Sequence, residues 1–229
     1  MKYPKIKFSF SLKKDAFNLY HRLITKSPLP RHNLFQEILN YCRGKPTERK
    51  VFAWTKTFWH TKDQKIISLA IEDNQEVWDK IYAPIFFKRL EEKMQCSFDY
   101  PLKFITAYLS ISPYSGYYFE KGFFFVNIQK GSFGGCTTVM HELMHYLFHK
   151  YWQIYCLKNG LPKNKIWEVK ESLTVILNDI FQDKIICEDK GYDQHKNLRN
   201  FILKKWKGKD KNFKKMIDEV IKNEALLVF

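Results

Sequence analysis

Thr137-Thr138-Val139-Met140-His141-Glu142-Leu143-Met144-His145-Tyr146-Leu147-Phe148 is the stretch on which the reading of this 229-residue chain turns. Val139, Met140, Leu143, Met144, Leu147 and Phe148 recur at helical intervals and predict a helix in an apolar setting. Two histidines and a glutamate stand inside it, and unpartnered buried charge is costly, so they need a reason to be there. Residues i and i+4 of a helix lie one turn apart on one face. His141 and His145 can therefore present imidazole nitrogens to a single ion. Glu142 follows by about 100°, at the edge of that face, where a carboxylate reaches a water on the ion without ligating it. One zinc ion would polarise a carbonyl and lower the pKa of water, with Glu142 as the general base. A pair of hydrogen-bonded core histidines is the alternative, and it leaves the glutamate unexplained.

Working outward, residues 102–111 and 123–129 read as strands, rich in β-branched and aromatic residues, with a Gly-containing hairpin over 113–122 between them. Residues 130–135 form a Gly-rich connection, and Thr137 or Thr138 is expected to cap the motif helix. That helix should run to about residue 157, where Gly160-Leu161-Pro162 stops it. A further helix is expected over 165–187, broken by Lys190-Gly191, then two amphipathic helices over 194–207 and 211–226. On the last, Phe213, Met216, Ile217, Val220 and Ile221 make an apolar stripe expected to pack on the body. Towards the N-terminus, residues 5–10 alternate as a short strand. Residues 13–25 look helical and are closed by Ser27-Pro28-Leu29-Pro30. Asn33 is a candidate cap for a helix to Tyr41. Residues 51–71 are ambiguous, and Asp73 or Asn74 can cap a helix to about Met94 with a possible kink at Pro84.

With these segments in place the chain resembles the gluzincins, zinc peptidases with HExxH and a downstream glutamate ligand on a second helix. The resemblance covers about residues 102–183. It implies that Phe123-Phe124-Phe125-Val126-Asn127-Ile128 stands where family members have a strand bordering the substrate cleft. It also implies that Glu171, in Glu171-Ser172-Leu173-Thr174, is the third ligand beside His141 and His145, with Glu142 as the catalytic base. Glu171 lies 26 positions after His145, a longer connection than the family commonly shows. Glu168 lies three residues earlier on the same helical face and stays open, as do Asp179 and Asp183. His149 extends the i, i+4 series but drifts off the seam and reads as a polar residue near the helix end. Asn178, Asp179 or Glu168 are candidates to orient the imidazoles. Tyr192, His195, Tyr117 and Tyr118 are candidates to stabilise an oxyanion. Cys136 has no neighbouring base and is read as a plain thiol.

The expected fold is α+β: a mainly helical, zincin-like domain with a small sheet beside the motif helix and a cleft between them. The whole chain is read as one domain. Residues 1–100 form an N-terminal part, 101–190 the catalytic core, and 191–229 basic helices packed upon it. Aromatic residues make up 17% of the chain, enough apolar surface to exclude a disordered one. The five cysteines form no CxxC pair, which points away from a disulfide framework or a cysteine zinc site. No apolar run approaches a membrane span and no signal-peptide core follows the first residues, so a cytoplasmic protein is expected. The formal charge is +15, with 33 Lys against 6 Arg. Lys196, Arg199, Lys204, Lys205, Lys207, Lys209, Lys211, Lys214 and Lys215, with Trp206 among them, keep nucleic acid or another polyanion as a rival partner to a peptide or protein substrate. A metal-binding, catalytically silent zincin-like protein is the other alternative.

Overall fold

The computed structural model describes residues 3–25, 32–208 and 210–223. It bears out an α+β fold, mainly helical, with one small mixed sheet of four strands. The chain contributes to two compact units. One gathers residues 4–77 and 102–135, the other residues 1–3, 78–101 and 136–229.

In the first unit the strands are β1 (Lys5–Phe10), β2 (Phe104–Ser110), β3 (Tyr117–Tyr118) and β4 (Phe123–Asn127), in the order β1-β2-β4-β3. β1 pairs parallel with β2, Lys5 opposite Phe104, and β2 pairs parallel with β4, Thr106 opposite Phe123. β3 pairs antiparallel with β4. β4 is thus an inner strand at Phe123 and Phe124, and all five of its residues are buried. The unbroken apolar run of its first four residues, 123–126, is what a strand covered on both faces requires. β1 is an edge strand, and its alternation of exposed Lys5 and Lys7 with buried Ile6 and Phe8 puts one face inward. The side-chain amide of Gln75 accepts from Phe8 N–H at 2.9 Å and donates to Ile6 C=O at 3.0 Å.

Four helices complete this unit: α1 (Leu12–Ile24), α2 (Asn33–Tyr41), α3 (Glu48–His60) and α4 (Gln64–Val77). Ser11 and Thr47 cap α1 and α3 by accepting from Lys14 N–H and Lys50 N–H. His32, not Asn33, caps α2 by accepting from Leu34 N–H. The ambiguous stretch 51–71 falls within α3 and α4. Asp73 and Asn74 lie inside α4 and cap nothing. The Ser27–Pro30 closure lies outside the described residues. Leu19, Phe35, Ile38, Cys42, Val51, Trp59, Ile67 and Ile111 form the core of the unit.

In the second unit a π-helical turn at Trp78–Tyr82 precedes α5 (Ala83–Met94). Pro84 explains the position of this turn: its ring would meet the carbonyl of Lys80 in a regular helix, and widening by one residue relieves the clash. α6 (Gly131–Leu147) carries the motif and continues through a π-helical turn (Phe148–Trp152) into α7 (Gln153–Lys158). The boundary between the units falls within α6, between Gly135 and Cys136. α6 begins earlier than expected, so Thr137, Thr138 and Cys136 are interior to it. Residues 165–187 do not form one helix: α8 (Ile166–Leu173) and α9 (Ile176–Ile180) are separate, and the chain then turns. α10 (Lys196–Gly208) and α11 (Phe213–Lys222) follow. Phe213, Met216, Ile217 and Val220 are buried, and the Phe213 ring lies 4.8 Å from that of Trp152. The expected extension to residue 226 lies outside the described residues.

Asp15 on α1 is a buried carboxylate at the centre of the first unit. Trp59 Nε1–H donates to its Oδ2 at 2.7 Å, and Ser110 Oγ–H and Ile111 N–H donate to its Oδ1 at 2.6 and 3.2 Å. Burial outweighs these bonds and lifts the carboxyl pKa to about 6. Between about pH 4 and 6 the folded state therefore holds a proton that the unfolded chain has released, and stability declines as pH rises. Asp15→Asn turns an amide N–H towards a donor and is expected to lower the unfolding free energy at pH 5 by roughly 1–3 kcal/mol. It should also abolish the decline between pH 4 and 6. Urea titrations across that range check both, and an unchanged midpoint would contradict them.

Candidate metal centre

One turn of α6 brings the His141 and His145 rings edge to face, with centroids 4.2 Å apart and planes at 69°. Glu171, on α8, reaches them from the second helix. Its Oε2 lies 3.3 Å from His141 Nε2 and 3.7 Å from His145 Nε2. One ligand atom from each of the three falls within 4.8 Å of the others, a group that can hold a metal ion. Glu171 Oε2 is buried and makes no hydrogen bond, a loss that a native structure does not carry without cause. Two imidazole nitrogens and one carboxylate oxygen are a donor set suited to a divalent transition metal with a position left open. The residues thus fit such an ion.

Glu142 stands beside the group, 4% exposed, with Oε2 3.7 Å from His145 Nδ1. Burial works against its charge, but the imidazoles of His145 and His141 and the Lys170 ammonium hold its pKa below the usual carboxylate value. Glu171 is likewise opposed by burial and held well below it by His145, Lys170 and His141. Burial, then Lys170, lowers His145 to about 4, which leaves it neutral and ready to ligate at pH 7. Burial opposes charge on His141 too, yet Asp189 and Glu171 at its two nitrogens prevail and raise it to about 10.

Asp189 is the residue that the motif did not announce. Its Oδ2 lies 2.5 Å from His141 Nδ1, and its Oδ1 accepts from Arg199 Nη2 at 2.9 Å and Thr174 Oγ1 at 3.1 Å. Asn178 closes a reciprocal pair with the Asp189 backbone at 2.8 and 3.0 Å. His141 is therefore oriented by Asp189, with Asn178 one step behind and Asp179 and Glu168 uninvolved. Gly191 allows this packing. Its φ is +63°, and a Cβ there would lie 2.5 Å from Arg199 Nη1. The far side of Asp189 lines a cavity of about 580 Å³, together with Asn178, Tyr192 and Arg199.

Comparison with protein-family models, curated proteins and solved structures finds no match.

The other candidate ligands stand outside the three-residue group. Asp179 accepts from Trp206 Nε1–H and pairs with Lys211, both at 2.8 Å. Asp183 pairs with Arg89. Glu168 Oε1 lies 3.5 Å from Lys165 Nζ and its Oε2, like that of Glu171, is buried without a hydrogen bond, but Glu168 is not part of the three-residue group. His149 turns to Gln153. His195 is buried against Trp167, ring centroids 4.9 Å apart, with Tyr192 stacked on the same indole. Tyr117 and Tyr118 form β3 in the other unit. Cys136 is buried and its pKa is pushed up to about 12, first by burial and then by Asp79, which suits an inert thiol. In the basic tail, Lys205, Lys211, Lys214 and Lys222 all pair with carboxylates of the chain, and Trp206 is buried. No helix among the described residues is long and apolar enough to cross a membrane.

Asp189→Asn removes the carboxylate that orients His141 and is expected to weaken metal affinity by 10- to 100-fold. Gly191→Ala, which forces Arg199 off Asp189, should weaken it in the same direction by less. Competition against a metal indicator measures both. Wild-type affinity in Asp189→Asn would remove Asp189 from the centre.

Proposed function

We propose that this chain is a zinc-dependent metallopeptidase of gluzincin type, with one zinc ion held by His141, His145 and Glu171 and with Glu142 as general base. The observation that carries the proposal is the convergence of the three ligands around a buried carboxylate oxygen, with a second buried carboxylate, Glu142, one residue along the motif helix. A pure binding site has use for three ligands but none for a fourth, ionised acid beside them. A zinc ion there would supply Lewis-acid polarisation of a scissile carbonyl and lower the pKa of water.

The chain's own residues do the rest. Asp189 fixes the His141 ring by its Nδ1, which leaves Nε2 turned to Glu171. His145 is neutral at pH 7, so ligation through Nε2 requires only that the ring's one proton sit on Nδ1. Glu142 is ionised and so free to accept a proton from water at a carboxylate oxygen, then hand it to the leaving amine. Tyr192 and His195, beyond the glutamate helix, are the two candidates to steady negative charge on the substrate oxygen. Peptides or proteins are the proposed substrates and the cytoplasm the proposed compartment.

The purified chain is expected to carry one zinc per molecule by elemental analysis and to cleave members of a peptide library. Glu142→Gln should retain the zinc and lose activity by about 10²- to 10⁴-fold. Absence of stoichiometric zinc, or full activity in Glu142→Gln, would sink the proposal.

A further inference from the structure

Lys170 is a buried lysine, 5% exposed, beside the candidate ligands. Its Nζ lies 2.7 Å from Glu171 Oε1 and 3.3 Å from His145 Nδ1. Successive helical residues point about 100° apart, so adjacency in sequence does not by itself bring Nζ to the neighbouring carboxylate. An ammonium withdrawn from water here needs a specific partner, because buried charge is tolerated only when paired. The two oxygens of Glu171 consequently differ. Oε1 is held by the ammonium, whereas Oε2 makes no hydrogen bond and faces both Nε2 atoms.

We propose that Lys170 is a positioning residue that reserves Glu171 Oε1, so that Glu171 offers a metal ion one oxygen only. The inference rests on the metal-centre reading above and adds selectivity to it. Two imidazoles and one oxygen, with one position open, suit a small ion content with four ligands. A carboxylate free to bind through both oxygens raises the ligand number and the oxygen share, which favours ions such as Mn²⁺. Lys170 thus tilts the centre towards zinc. The positive charge of Lys170 repels every divalent ion alike, so it cancels from the ratio of two affinities. What remains in the ratio is the hold on Oε1 together with the contact to His145 Nδ1, and the ligand number read from cobalt separates the two.

The test uses the full chain and three proteins: wild type, Lys170→Met and Lys170→Gln. Dissociation constants for Zn²⁺ and Mn²⁺ are measured by competition with an indicator chelator, and the visible spectrum of the Co²⁺ form reports ligand number. Lys170→Met is expected to reduce the preference for zinc over manganese by about tenfold and to weaken the cobalt bands. Lys170→Gln keeps a neutral N–H donor and should fall between it and wild type. Should Lys170→Met not fold, the shift in Lys170→Gln decides. A folded variant with the wild-type ratio and cobalt spectrum overturns this inference and leaves the metal centre standing. A wild-type chain that binds no zinc overturns both.

Discussion

A carboxylate taken out of water must face a cation or a set of donors, and this chain takes three out of water within one small region. Glu142, Glu171 and Asp189 are each less than a tenth exposed. Two fixed cations, Lys170 and Arg199, lie among them and are equally buried. With neutral imidazoles the count is one negative charge in excess; a proton on His141 cancels it, and a metal dication would turn it into one positive charge. The helices there are placed to serve this arithmetic. α6 contributes the histidines and one acid, α8 the second acid and its lysine, the turn after α9 the third acid, and α10 the guanidinium. Burying so many ionised groups is weak as a source of stability. Its worth lies in fixing where each nitrogen and oxygen points.

The helical spacing of His141, Glu142 and His145 was legible from the sequence, because one turn of helix is a local rule. Glu171 was reachable only through the resemblance, since spacing alone left Glu168 on the same face. Asp189 and Arg199 carry no local signal. They come from an irregular segment and from the helix after it, and meet because Gly191 leaves room for the guanidinium. The glycine between them was the one clue, and it read as a simple helix break. Lys170 was hidden for a different reason: beside a ligand in sequence, a lysine looks like any solvated residue of a charged helix.

Element boundaries went astray where tertiary packing overrode local preference. Gly134 and Gly135 read as a loop, yet they lie within α6. A Cβ on Gly135 would come 2.1 Å from Asn74 Oδ1, so the glycine records a close approach and not a turn. Thr137 looked like a cap, but its hydroxyl donates to Cys187 C=O at 2.7 Å. The expected long helix over 165–187 is interrupted after Leu173. There the Thr174 hydroxyl, with one proton to give, lies 2.8 Å from Glu171 C=O and 3.1 Å from Asp189 Oδ1, and helical continuity gives way to support of the centre.

The amide of Gln75 has a consequence at the opposite end of the chemistry. An edge strand normally offers a row of unpaired N–H and C=O groups, and such a row can recruit a strand from another molecule. On β1, the N–H of Phe8 and the C=O of Ile6 are already occupied by a side chain that imitates one residue of a neighbouring strand. Exposed Lys5 and Lys7 alternate along the same stretch. The β1 edge is thereby blunted at these two groups without a fifth strand, a local safeguard against self-association written into a single glutamine.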